Sequence, residues 1–324
     1  MNYAVIDLHL HLDGSLSPAS VRKLAAMQGV ALPEEEELLR LLRVSPDCRS
    51  LNEYLEKFDF PLSLLQTGDA ITAAVHNLCE ELREQGLWYA EIRFAPQLHT
   101  RKGLSQRQVV EAAVAGLPKE GFRAGLILCC MRGDTNGDAN RETILLAPDF
   151  LGRGVCAVDL AGAEALFPTR DFEELFTLAR EQAIPYTIHA GEADGPSSIR
   201  AALAFGTSRL GHGVRSCEDE ALLRRLSLGD VLLELCPTSN LHTCIFSDLS
   251  QYPIPLFLEK GVKFCLNTDN MTVSGTTLQQ EVESIRETFA LSHEQMKTML
   301  RNTIPFTFAD EANKAWLLEQ IEML

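Results

Sequence analysis

Strand-like and helix-like segments alternate along nearly the whole chain. An apolar run, Tyr3-Ala4-Val5-Ile6, leads into Asp7-Leu8-His9-Leu10-His11-Leu12-Asp13-Gly14 and reads as the first strand. Further strands are predicted over 88–94, 123–131, 155–160, 184–189, 209–211, 231–235 and 263–267. Helices are predicted between them, over 105–119, 142–151, 172–182, 197–205, 219–226 and 255–260. Strand–helix alternation implies parallel pairing through right-handed crossovers, and eight such units close a (β/α)8 TIM barrel of the α/β class. A doubly wound open sheet is the weaker alternative, because no Gly-x-Gly-x-x-Gly follows the first strand.

Extra helices fall in two places. In the first βα segment, Ser17-Pro18 is a start signal for a helix to about 27, and Pro33 with Glu34 to Glu37 starts another. A longer helix over 68–85 stops at Gly86. Leu51, Tyr54, Leu55 and Phe58 form one apolar helical stripe, which packing in the core or a lid over a pocket would each explain. Past the eighth strand, helices are expected over 278–289, 292–301 and 310–322. No linker, repeat or low-complexity stretch interrupts the pattern, so 1–324 reads as a single barrel domain.

Charge and hydropathy exclude several functions. A formal net charge of −16 argues against a nucleic-acid-binding surface and against attraction to anionic membranes. No stretch has the apolar length of a membrane span. The first residues lack the basic and apolar regions of a signal peptide, and the nine cysteines include no C-x-x-C pair. Reduced, mostly buried thiols in a cytoplasmic protein follow. Nothing in the pattern gives the oligomeric state.

Barrel enzymes carry their chemistry at the C-terminal ends of the strands. On the first strand Leu8, Leu10 and Leu12 share one face, and Asp7, His9 and His11 the other. The fourth strand ends in Asp159-Leu160-Ala161-Gly162, the fifth in His189-Ala190-Gly191-Glu192, the sixth in Gly211-His212-Gly213 and the eighth in Asn267-Thr268-Asp269-Asn270. Each is ordinary alone: a core histidine, a turn, a cap. Four of the eight histidines at strand ends converge on one mouth. Three imidazoles and a carboxylate suit zinc with water completing the site. Glu192 is then free to act as acid or base, and His212 as a second proton carrier. No lysine stands near the end of the fourth strand to bridge two metals, which favours one ion.

Asp-Leu-His-Leu-His-Leu-Asp-Gly-Ser-Leu (7–16), Glu-Tyr-Leu-Glu-Lys-Phe-Asp (53–59), Asp-Leu-Ala-Gly (159–162), His-Ala-Gly-Glu (189–192), Arg-Leu-Gly-His-Gly (209–213) and Asn-Thr-Asp (267–269) resemble the adenosine deaminase family of the amidohydrolase superfamily. The resemblance implies zinc-dependent hydrolysis of adenosine, and of 2′-deoxyadenosine, to the inosine nucleoside and ammonia. It implies that His9, His11, His189 and Asp269 hold one Zn2+ whose water attacks purine C6, with Asp269 also among the catalytic residues and His11 also facing the substrate. Glu192 would protonate N1 and His212 would take the water's proton. The Gly162 N–H would meet N3, Asp13 would accept from the ribose 5′-hydroxyl, and Leu51, Tyr54, Leu55 and Phe58 would form an apolar lid. The flipped-base zinc deaminases are a different class, with motifs absent here.

One residue departs from the family pattern. Asn270 stands where a second Asp is usual, and an amide donates to an acceptor such as purine N7 at any pH. The same substitution is compatible with another 6-aminopurine or an N6-substituted adenine nucleoside as substrate. A carboxylate at Asp13 would repel a 5′-phosphate, so a small-molecule nucleoside is expected rather than a nucleotide.

Overall fold

The computed structural model describes residues 2–45 and 47–324. Among the described residues there are eight parallel strands: β1 (Ile6–His11), β2 (Tyr89–Phe94), β3 (Arg123–Met131), β4 (Val155–Ala161), β5 (Ile188–Ala190), β6 (Arg209–His212), β7 (Leu232–Leu235) and β8 (Lys263–Leu266). They pair as two four-stranded runs, β1-β2-β3-β4 and β5-β6-β7-β8. Single bridges, Val158 to Tyr186 and Leu10 to Asp269, close the two seams and complete a (β/α)8 barrel.

The alternation on β1 works as its sequence implies. Leu8, Leu10 and Leu12 are fully buried in the main apolar core under the helices. The pairing of β1 with β2 shifts between Asp7 and Leu10, so that Leu8 and His9 oppose Glu91 alone. Such a bulge bends a strand and re-aims its side chains beside a site.

The early and late extra helices form at Pro18–Gln28, Glu35–Leu42 and Gly68–Glu84, then at Leu278–Thr288, His293–Thr303 and Glu311–Met323. Gly86 adopts φ 87° beyond the third of these. All nine cysteines are free, and among the described residues no helix is long and apolar enough to cross a membrane.

Some bounds differ from expectation. β5 is three residues long rather than six, because Pro185 has no N–H to offer and the seam with β4 is one bridge. The helix expected over 142–151 forms instead at Gly137–Leu146; Pro148 ends it, and Asn140 holds its first turn against Met131 by two hydrogen bonds of 2.7 and 2.9 Å. The stripe at 51–58 is not one α-helix. It divides into Leu51–Leu55 and a 3-10 turn at Glu56–Phe58. Short helices at Asp59–Leu64, Pro237–His242 and Met271–Ser274 have no counterpart in the periodic pattern.

Candidate active site

The strand ends bring His9, His11, His189 and Asp269 together, with one donor atom from each within 4.8 Å of all the others. Asp269 is fixed at the β8–β1 seam by backbone bonds on both sides: its N–H donates to His9 O at 2.8 Å, and its carbonyl accepts from His11 N at 2.7 Å. It holds φ 60°, a left-handed conformation uncommon for a residue with a side chain. His212 does the same at φ 58°. Strain of this kind costs about 1–3 kcal/mol and persists where surrounding bonds enforce it.

The donor set fits a metal ion. Four ligands placed tetrahedrally at about 2.1 Å from an ion lie about 3.4 Å from one another. Here His11 Nε2 is 3.3 Å from His189 Nε2 and 3.4 Å from Asp269 Oδ1, and His9 Nε2 is 3.5 Å from that oxygen. His9 Nε2 is buried with no hydrogen-bond partner. Its Nδ1 lies 2.8 Å from Glu234 Oε2, and His189 Nδ1 lies 2.8 Å from Asp159 Oδ2, off the ideal line of a hydrogen bond. Carboxylates on the far nitrogens fix the tautomer that aims each Nε2 lone pair into the cluster.

Beneath the donors lies a second layer whose pairing the motifs did not reveal, although Asp159 and Arg209 each open one of them. Arg93 bonds Asp159 and Glu234, both at 2.8 Å. Arg209 bonds Glu234 at 2.7 Å and Glu91. All five side chains are fully buried. Two guanidinium groups face three carboxylates, and Asp269 adds another negative charge just above. A divalent cation would balance that excess. The signal was a charged residue inside an otherwise apolar strand, as in Tyr89-Ala90-Glu91-Ile92-Arg93-Phe94 and Leu232-Leu233-Glu234-Leu235.

Opposite the donors, His212 Nε2 is 3.6 Å from Glu192 Oε2. Asn240 Nδ2 lies 3.1 Å from His212 Nδ1, and Tyr252 donates to Asn240 Oδ1 at 2.8 Å. Burial, then the charges of Asp269 and Glu164, push Glu192 well above the usual carboxyl range, the direction that favours its protonated form. Burial keeps His11 and His212 well below the usual imidazole range, and lowers His189. Burial and Arg93 also push His9 down, but Asp269 and Glu234 outweigh them and hold it above its ordinary value. A metal ion would displace that proton.

These groups open into a cavity of about 270 Å³. Of the predicted site residues, His11, Asp13, Leu51, Tyr54, Leu55, Phe58, Gly162, His189, Glu192, His212, Asp269 and Asn270 line it. His9 lies beneath, fully buried. Tyr54, Leu51 and Phe58 form a small apolar cluster with Cys48, Val44 and Val273, separate from the main core, and the Tyr54 hydroxyl is 2.7 Å from Ser274 Oγ. Asn270 turns Oδ1 toward Gly14, where a Cβ would clash with it. Asp13 is buried, which raises it to about 6. The apolar wall of Phe94, Ala95, Leu98, Cys129 and Met131 was not anticipated. It comes from the ends of β2 and β3, where no polar motif marks it.

Fold and site together define a class: an α/β barrel with a metal-binding centre at the C-terminal mouth of its strands. The family is more specific. The model of the adenosine deaminase family matches residues 5–324. An adenosine deaminase of Haemophilus ducreyi is 49% identical over 99% of this chain and 96% of its own length. One from Enterococcus faecalis is 39% identical over 98% and 95%. The chain belongs to the adenosine deaminase family. Among solved structures, the adenine deaminase of Arthrobacter aurescens superposes with a TM-score of 0.88 at 29% identity, covering 99% of this chain and 98% of its own. The N6-methyl-AMP deaminase of Arabidopsis thaliana gives 0.85 at 25%, covering 98% and 96%.

Proposed function

We propose that this chain, as one barrel domain over residues 1–324, hydrolyses adenosine and 2′-deoxyadenosine to the inosine nucleoside and ammonia in the cytoplasm. The observation that carries the reading is the convergence of four side chains able to hold a metal ion on a cavity whose far side holds the buried Glu192 carboxyl 3.6 Å from the His212 imidazole. One zinc ion on His9, His11, His189 and Asp269 would supply water with a pKa near 7, hence a nucleophile at neutral pH.

The chain's own groups do the rest. Glu192 donates its proton to purine N1, which lets C6 accept water. His212 receives one proton of that water and passes it to the departing amine, which leaves as ammonia, while the remaining hydroxyl proton returns to Glu192 as the C6 carbonyl forms. The Gly162 N–H donates to N3, the Asn270 amide to N7, and Asp13 accepts from the 5′-hydroxyl. Leu51, Tyr54, Leu55 and Phe58 cover the purine and keep bulk water away.

Substrate choice turns on Asp13 and Arg101. The Asp13 carboxylate disfavours a 5′-phosphate, whereas Arg101 is a guanidinium lining the same cavity. The relatives named for adenine and for N6-methyl-AMP make those compounds the competitors to test. The ultraviolet spectrum of adenosine mixed with the protein should shift to that of inosine, stop after chelator treatment and resume on adding zinc. Turnover of adenine or an N6-methylated nucleoside in place of adenosine would overturn the substrate. AMP hydrolysed as fast as adenosine would overturn the role of Asp13.

A further inference from the structure

Glu164 stands three residues past the end of β4 and is 1% exposed. Its Oε1 accepts from Gly191 N at 2.7 Å and from Ser198 Oγ at 2.5 Å. Its Oε2 accepts from the N–H groups of Glu192, Ala193 and Asp194 at 3.0, 2.8 and 3.0 Å. Four successive amides therefore converge on one carboxylate, in the kind of backbone nest that elsewhere binds free anions. Gly191 makes the curl possible with φ 76°, and a Cβ there would strike Ile199.

The place matters as much as the bonds. Among the described residues β4 and β5 share a single bridge, Val158–Tyr186; on the other side the β5–β6 ladder ends at Ala190, and the Arg215 N–H donates to Gly191 O at 3.1 Å, the last backbone bond before Glu192. The Glu192 side chain has weak anchors of its own, Thr243 Oγ1 at 3.4 Å and His212 Nε2 at 3.6 Å. Its location is thus set by its backbone, whose amides from 191 to 194 are held by Glu164 while Arg215 binds the carbonyls of Gly191 and Ala193. We propose that Glu164 is a positioning residue that fixes Glu192 in reach of purine N1 by gripping the 191–194 backbone across the β4–β5 seam. After burial and Asp269, Glu164 also raises the Glu192 carboxyl above its usual range.

This inference rests on the reading of Glu192 as the N1 acid. In Glu164→Gln one acceptor oxygen becomes an NH2 facing the amides, so the nest loses half of its anion. Metal content should be retained while kcat falls about 10²-fold, the low end for loss of a general acid. KM, and the inhibition constant of a 1-deaza nucleoside with C–H in place of N1, should change less than about threefold, since neither depends on that proton. Glu164→Asp should recover part of kcat. Ser198→Ala, which removes one of the five bonds, should cost about tenfold in kcat with KM unchanged.

A kcat for Glu164→Gln within twofold of wild type would overturn the inference. So would a parallel loss of kcat and of 1-deaza nucleoside binding, which marks a general structural defect. Where Glu164→Gln does not fold, Ser198→Ala and hydrogen exchange in the native enzyme carry the test. The amides of 191–194 should be as protected as those of the barrel strands, and exchange at exposed-loop rates would sink the idea. Glu192→Gln separates the two readings. Full activity there removes the acid role and this inference with it, whereas an inactive Glu192→Gln beside a fully active Glu164→Gln removes this inference alone.

Discussion

Two layers of the barrel interior touch each other and are built on opposite rules. The upper layer gathers His9, His11, His189 and Asp269 with their donor atoms drawn together, and His9 Nε2 is left without a hydrogen-bond partner among the described residues. The lower layer gathers Arg93, Arg209, Glu91, Asp159 and Glu234, and spends its charges on internal pairs. Glu234 and Asp159 belong to both, since each also meets a histidine above. The difference teaches that the upper layer holds its open geometry on a lower layer whose charges are paired, although Arg93 Nε is left without a partner among the described residues. Breaking the first should remove chemistry and spare the fold, and breaking the second should do the reverse.

The largest contrast comes from Asp269→Ala. Turnover should fall to background and bound metal should be lost by elemental analysis, while the circular-dichroism spectrum stays that of the wild type. An unchanged metal content would break the comparison. Next is Arg209→Met, which takes from Glu91 its guanidinium partner and leaves Glu234 with Arg93 alone of its two. Orphaning buried charges costs about 3–5 kcal/mol, to be read from denaturant unfolding. A stability loss below about 1 kcal/mol would mean that the lower layer is not the support it appears from its bonds.

A histidine outside both layers gives the pH control. His99 is buried with its Nδ1 2.9 Å from Leu65 O, and burial lowers its pKa to about 4. The unfolded chain takes up a proton near pH 6.5 that the folded chain refuses. Stability is therefore complete above pH 6.5 and falls as pH drops toward 4, by about 3 kcal/mol. His99→Gln should flatten that slope without touching turnover at neutral pH. A slope left unchanged would assign the acid sensitivity to other groups.

Glu234→Gln is a finer probe, because it weakens the bond behind His9 while keeping the side chain's shape. Altering a partner of this kind typically costs 10–100-fold in metal affinity, measurable by competition with a chelator. No change in affinity would show that the two layers are independent. The smallest effect is expected for Asn270→Asp. It should stay active and lose activity as pH rises, because a carboxyl donates to N7 only while protonated, whereas the amide donates throughout. A pH profile of kcat/KM checks this, and complete loss of purine binding would count against the N7 contact.

The upper layer was legible from the sequence and the lower one was not, for a physical reason. His9 and His11 are one strand repeat apart, and Glu192 follows His189 by three residues, so local spacing carries the pattern. Arg93 finds Glu234, 141 residues away, only when the barrel closes. Glu164 was illegible in another way: four of its five partners are backbone N–H groups, which every residue but proline possesses. The eight strands were legible because a buried parallel strand is a short apolar run between helices. β5 was overextended where Pro185 interrupts the pairing, and the 51–58 stripe has helical spacing but breaks at Glu56.

The two single-bridge seams have a consequence for how this chain acquires its structure. Every ion pair of the lower layer except Arg93–Asp159 and Arg209–Glu234 joins a residue of β1–β4 to one of β5–β8. A half-barrel formed alone would bury Arg93 without Glu234, or Arg209 without Glu91. Neither half is thus a comfortable resting place, and the two runs of strands are expected to become native together, in one cooperative event rather than by the docking of finished halves.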